Sequence, residues 1–301
     1  MDVSTVTAAF AAALLASLAV KLWLATRQMR HVAAHRGQVP AAFAGHVTQQ
    51  AHAKAADYTL AKGRLGLVGM ALGSAVLLGW TLLGGLDALN MALRDALLPG
   101  GGAMVYQLAL LSAFVVIGGL IDLPLDWYST FRVEQRHGFN RMTTRLWLAD
   151  LVKGAAVGAV VGLPLAALIL WIMGSSGGLW WLWAWLAWVA FNLVMLVLYP
   201  TVIAPLFNKF EPLPDEALKA RVQALMQRCG FVAKGLFVMD GSKRSAHSNA
   251  YFTGLGAAKR VVFYDTLLQR LSPPRSKPCW RTSWATSSTS MCSSASSPSS
   301  P

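Results

Sequence analysis

The chain has 301 residues, 55% of them hydrophobic and only 13% charged, with 12 Trp and a mean hydropathy of +0.48. This composition excludes an ordinary soluble domain and describes a polytopic membrane protein. The formal net charge of +13 follows from membrane topology. No basic and aromatic strand pattern accompanies it, so nucleic acid is not an expected partner.

Apolar runs long enough to cross a bilayer occupy residues 6–24, 65–86, 104–123, 152–173 and 179–206. The first lacks a basic leading region and contains Lys21, so it is expected to be a retained membrane helix and not a signal peptide. The loop after it carries Arg27, Arg30, Arg36, Lys54, Lys62 and Arg64, and the loop after the third run carries Arg132, Arg136, Arg141, Arg145 and Lys153. Only Arg94 lies between the second and third runs, and no basic residue lies between the fourth and fifth. The positive-inside rule therefore predicts an N-terminus outside and everything after residue 206 in the cytoplasm. The same basic loops would attract anionic lipid headgroups of the bilayer.

Within the runs, Gly66, Gly69 and Gly73, and Gly154, Gly158 and Gly162, have the spacing of close helix packing. Trp180, Trp181, Trp183, Trp185 and Trp188 begin at the end of a run, where indoles favour the membrane interface. Asp122 and Asp126 share a helix face, and pairing with the basic loop is their expected role. Glu134 and His137 have the i, i+3 spacing of di-iron bundles but no partner copy.

From Glu211 the chain becomes soluble in character. Pro212 and Pro214 punctuate the exit from the membrane, and residues 215–230 form an amphipathic helix ended by Gly230. Residues 235–240 predict a short strand and 241–244 a polar turn, and 249–253 and 260–264 predict two further strands joined through Gly254 and Gly256. Asp265 is placed to cap a helix through Gln269. This helix-and-sheet layer is expected to stop before it can bury a core of its own. Of three cysteines, Cys229 would face a reducing cytoplasm, and Cys279 and Cys292 lie in a Ser-rich tail, so no disulfide framework is implied.

Three segments carry a family resemblance: FRVEQRHGFN at 131–140 with Asp150 and Lys153, YPTVIAPLFNKF at 199–210, and VMDGSKRSAHSNAYFTG at 238–254. Over roughly residues 27–273 the chain resembles the type I CAAX prenyl proteases. The resemblance implies a mainly α, polytopic helix bundle with seven spans in the family and five present here, followed by the start of a cytoplasmic α+β metalloprotease domain. It implies a zinc metalloendopeptidase that cleaves prenylated CAAX or other membrane-associated proteins, expected here in a bacterial inner membrane. It also implies that Asn249, Ala250, Tyr251 and Phe252 bind substrate, as a sheet edge to which peptide backbone can add.

The zinc chemistry of that family needs His-Glu-x-x-His on one helix, with the glutamate as general base, and a downstream glutamate. The six histidines are His31, His35, His46, His52, His137 and His247, and none belongs to such a motif. His31 and His35 have the i, i+4 spacing, but Val32 stands where the glutamate is needed, and a solvated juxtamembrane face is the expected role. Ser245 and His247 lack an orienting acid and a nucleophile elbow. No catalytic residue, metal ligand or bound zinc is therefore expected in this chain.

At Pro273 the composition changes to serine with scattered Thr and Pro. The codons permitted by residues 278–286 can spell Leu-Ala-His-Glu-Leu-Gly-His in a shifted frame, near where the motif would fall. The expected organisation is residues 1–209 as membrane domain, 210–273 as a truncated start of the peptidase domain, and 274–301 as an out-of-frame tail. A competing expectation is a non-catalytic membrane protein, either a pseudoprotease that holds substrate peptide or a transporter-like bundle.

Overall fold

The computed structural model of the protein describes residues 2–228, 230, 235–253 and 259–270. The expected tail, the Gly254 to Gly256 connection and all three cysteines lie outside the described residues. Five helical segments are long and apolar enough to cross a membrane: Val3–Ala34, Gln49–Thr81, Gly85–Glu134, Thr144–Ser175 and Gly177–Phe207. Four of the five expected runs fall within one of them, and the second, 65–86, overruns the end of Gln49–Thr81 through a turn into the start of the next helix. The chain divides into two units, one made of Met1–Asn140 with Gly162–Ser175 and the other of Arg141–Val161 with Ser176–Pro301.

In the first unit, helix α1 spans Val3–Ala34 and α2 spans Gln49–Thr81. Helix α1 continues well past its apolar run because Ala, Arg, Gln and Met, all good helix formers, follow it. Thr48 starts α2 by accepting the Ala51 N–H at 3.2 Å on its hydroxyl. The two helices approach closely at Gly63, where a Cβ would lie 2.7 Å from Met29 Sδ. The glycines expected to pack, Gly66, Gly69, Gly73, Gly154, Gly158 and Gly162, instead have no described atom within 4 Å of a built Cβ. A spacing of small residues marks a face that could be approached, and among the described residues nothing approaches these.

Helix α3, Gly85–Tyr128, takes in the whole connection between the second and third apolar runs. Gly102, at φ 73° and ψ 168°, breaks it into two pieces, a conformation open to glycine and to few other residues. A hydrogen bond from the Tyr106 hydroxyl to the Asn90 side chain bridges the break. Trp80 of α2 and Phe114 of α3 pack with ring centroids 5.1 Å apart. The end of α3 widens into a π-helical turn, Ser129–Glu134. Helix α4, Thr144–Ser175, contributes to both units.

In the second unit, α5 spans Trp180–Leu198 and passes through a π-helical turn, Tyr199–Ile203, into the short α6, Ala204–Phe207. Pro200 has no N–H to continue the α-helical ladder, and the Ala204 N–H reaches back to the Tyr199 carbonyl. The Trp side chains at 180, 181, 183, 185 and 188 are all exposed in the protein.

Among the described residues after 209, the chain forms a four-stranded sheet with two helices. Its elements are β1 (Phe210–Pro212), α7 (Glu216–Arg228), β2 (Gly235–Met239), β3 (Ala250–Thr253), β4 (Arg260–Tyr264) and α8 (Asp265–Arg270). The strand order is β1-β2-β4-β3, with β2 and β4 parallel and the outer pairs antiparallel. Strand β1 was not expected from the sequence; Pro212 is tolerated because it ends an edge strand. Asp215 caps α7 by accepting the Leu218 N–H at 2.9 Å.

Leu218, Val222, Leu225 and Met226 recur along one face of α7 and pack with Leu213, Leu236, Val261, Phe263 and Leu267. Phe263 is fully buried. The segment therefore does bury a small core, contrary to the expectation from its length: α7 and α8 cover one face of a sheet that the extra strand widens.

Candidate functional site: an edge strand on a pinned loop

Strand β3 lies at one edge of the described sheet. The Tyr264 N–H donates to the Asn249 carbonyl at 3.0 Å, and in an antiparallel ladder the residues that exchange hydrogen bonds alternate. Asn249, Tyr251 and Thr253 therefore turn their backbone groups toward β4, opposite Tyr264, Val262 and Arg260, and Ala250 and Phe252 turn theirs toward the sheet edge. The Ala250 N–H lies 2.9 Å from the Asn249 side-chain oxygen.

Alternation also divides the side chains of the four residues expected to bind substrate. Ala250 and Phe252 stand opposite Phe263 and Val261, on the face that α7 and α8 cover, and Tyr251 stands opposite Val262 on the other face. Phe252 is 45% exposed. Tyr251 packs edge-on against Tyr264, with ring centroids 6.2 Å apart. Burial, with Tyr264 and Tyr199 nearby, pushes the Tyr251 phenol up to about 12, so it stays neutral well into the alkaline range. What Asn249, Ala250, Tyr251 and Phe252 share is thus the strand edge and not one lining surface.

The loop before β3 is fixed on two sides. Arg244 forms a bidentate pair with Asp150 of α4, at 2.7 and 2.9 Å, and donates to Asn208 Oδ1 at 2.6 Å and the Phe207 carbonyl at 2.7 Å. Its own carbonyl accepts the Arg141 N–H at 3.1 Å. On the other side, Ser242 donates its N–H and hydroxyl to Asp265, Ser248 donates to the Thr266 carbonyl, and Thr266 donates to the His247 carbonyl at 2.8 Å. Arg270 reaches the Ala246 carbonyl at 3.2 Å. Asp265, expected as a helix cap, also binds the Thr266 N–H and so holds this turn to the start of α8.

Ser245 and His247 belong to the same turn: the Ser245 hydroxyl accepts the His247 backbone N–H at 3.2 Å. This contact is a local turn bond from backbone to hydroxyl. In the first unit, Glu134 accepts from the Tyr58 hydroxyl at 2.6 Å and Lys62 at 3.3 Å, and His137 Nδ1 lies 2.8 Å from the Val133 carbonyl. His31 and His35 stack on an exposed turn with ring centroids 4.2 Å apart. Among the described residues no three His, Cys, Asp or Glu side chains converge on a point that could hold a metal ion. The described residues do not fit a zinc ion.

Sequence reasoning missed the Arg244 node. Asp150 and Arg244 are 94 residues apart, and their conjunction with Asn208 in the three quoted segments was the available signal.

The described residues thus combine a polytopic set of membrane-length helices with a small four-stranded sheet. The family described as CAAX prenyl protease N-terminal, five membrane helices, matches residues 28–209, and peptidase family M48 matches residues 212–277. The chain belongs to this family.

Among individual relatives, it is 42% identical to the CAAX prenyl protease 1 homolog of Oryza sativa over 169 residues, 56% of this chain and 40% of that protein. It is 34% identical to the human CAAX prenyl protease 1 homolog over 280 residues, 87% of this chain and 57% of that protein. The crystal structure of S. mikatae Ste24p superimposes with a TM-score of 0.80 at 28% identity, covering 91% of this chain and 66% of that one. The chain thus spans about half the length of the curated relatives it matches.

Proposed function

We propose that residues 1–209 are the membrane domain, and residues 210–273 the opening part of the peptidase domain, of a zinc-type membrane endopeptidase acting on CAAX-type or other membrane-associated proteins. In this proposal the 301 residues bind an extended substrate peptide through Asn249, Ala250, Tyr251 and Phe252 but do not hydrolyse it. The observation that carries the binding half is the position of β3: an edge strand whose Ala250 and Phe252 backbone groups face outward, on a loop pinned through Arg244 and Asp265. An extended peptide can add there as a further strand, with main-chain bonds for affinity and alternate side chains for selectivity.

The inactive half rests on the sequence, in which no His-Glu-x-x-His occurs and the codons permitted by residues 279–286 can spell that motif in a shifted frame. The distribution of Lys and Arg supports an N-terminus outside and a cytoplasmic sheet, and the membrane proposed is a bacterial inner membrane.

The test is to incubate the purified full chain in nanodiscs with a farnesylated CAAX peptide, with and without added zinc and a chelator, and to follow the peptide by mass spectrometry. Capture without cleavage is expected. Chelator-sensitive cleavage would overturn the inactive half, and absence of capture would overturn the binding half.

A further inference from the structure

The first unit holds a cavity of about 800 Å³ between the middle of α2 and the end of α3 with the turn that follows it. Its lining includes the apolar Leu65, Val68 and Leu125 and the basic Arg64, Arg132 and Arg136. A second cavity of about 650 Å³ is lined by Arg36, Lys54 and Asp57 and shares Arg64, Arg136 and His137 with the first.

Three observations bear on what this cavity takes. The first is depth. Arg64 immediately precedes the apolar run 65–86, and Arg132 and Arg136 follow the run 104–123, so a hairpin of two membrane helices brings all three to the same membrane boundary. Trp127 and Tyr128, 39% and 50% exposed, lie at the same end, as aromatic residues do at headgroup level.

The second is charge. The neighbouring carboxylates are already engaged: Asp57 by Arg36 at 2.7 and 2.8 Å, and Glu134 by Tyr58 and Lys62. Among the described residues, Arg64, Arg132 and Arg136 form no ion pair. Three guanidiniums held together without a counter-charge repel one another, and an anion that binds all three relieves this.

The third is shape. Basic and apolar side chains lining one cavity, at the level where hydrocarbon gives way to headgroup, match a molecule with one anionic group joined to a hydrocarbon chain. Guanidinium offers paired donors to phosphate oxygens.

We propose that this cavity is a binding site for an anionic phospholipid, its phosphate held by Arg64, Arg132 and Arg136 and the first part of an acyl chain lying along Leu65, Val68 and Leu125. The site is separate from strand β3 and does not depend on the peptide-binding proposal. Its occupancy would link the first unit to membranes rich in anionic lipid.

The test uses the full chain purified in mild detergent, with bound lipid counted by native mass spectrometry after addition of phosphatidylglycerol or phosphatidylcholine. The wild-type chain should retain phosphatidylglycerol in preference. Each of Arg64→Gln, Arg132→Gln and Arg136→Gln should weaken that preference about fivefold, and the triple variant should abolish it. All three side chains are exposed, so the single variants should fold even if the triple does not.

Arg30→Gln with Arg145→Gln removes two basic-loop charges outside the cavity and should leave the preference unchanged. An equal loss in that control would overturn the proposal in favour of diffuse surface charge. Displacement of the lipid by inorganic phosphate alone would identify a free-phosphate site and overturn the lipid assignment. Displacement by farnesylcysteine, with no retention of phosphatidylglycerol by the wild-type chain, would reassign the cavity to a prenylated peptide end.

Discussion

Arg136 follows the end of an apolar helix and Arg244 lies in the loop before β3, and the surroundings of these two guanidiniums differ. In the second unit, Asp150, Asn208 and the Phe207 carbonyl meet Arg244 with four hydrogen bonds, and its side chain is only 20% exposed. In the first unit, Arg136 stands exposed at a cavity with Arg64 and Arg132, while nearby carboxylates pair with Arg36 and Lys62. A cation whose acceptors come from its own chain fixes backbone. One without them is available to an external anion. The same residue type therefore carries a structural role in one unit and a proposed ligand-binding role in the other.

That contrast can be broken where the second unit is most tightly built. Phe263→Ala removes the fully buried centre of the small core and should destabilise the sheet by about 3–5 kcal/mol, seen as loss of hydrogen-exchange protection in β2, β3 and β4. Survival of that protection would mean that the helical cover contributes little. Arg244→Ala should cost about 2–4 kcal/mol, because it leaves Asp150 without its partner. Arg244→Lys should recover only part of this, since an ammonium cannot make the paired contact. The readout is proteolytic release of the 241–249 loop.

In the first unit, Tyr58→Phe deletes one hydrogen bond to Glu134 while Lys62 remains, so the effect on thermal unfolding should be about 1 kcal/mol. The smallest effect concerns Tyr251. Its phenol is raised to about 12 in the folded protein, against about 10 unfolded. The unfolded chain therefore loses this proton first as pH rises, and the contribution to stability is complete below pH about 10 and lost toward 12. Spectrophotometric titration should show a tyrosine component ionising near 12, and Tyr251→Phe should reduce that component.

Much of this architecture was legible in the sequence. Membrane runs declare themselves by length and hydropathy, and β2, β3 and β4 by short β-branched or aromatic runs between turn residues. Strand β1 was hidden by its three-residue length and by Pro212, whose missing N–H matters little at the end of an edge strand. The π-helical turns at Ser129–Glu134 and Tyr199–Ile203 add one residue to a turn and leave the local hydropathy unchanged. The division of Ala250 and Phe252 from Tyr251 follows from period-two alternation, but which pair faces the helices depends on register with β4, set by contacts far along the chain. The Arg244 node joins α4, α6 and the loop before β3, and no local pattern encodes such a meeting.

Strand addition at β3 is tested most directly by a backbone N-methyl scan of a bound peptide. A series of CAAX-type peptides, each N-methylated at one position, is titrated against the full chain in nanodiscs. Pairing with an edge strand predicts a period of two: affinity falls at alternate positions, where the amide donates to the Ala250 or Phe252 carbonyl, and is retained between them. Affinity that is uniform along the scan, or that tracks only the side chains, would contradict it.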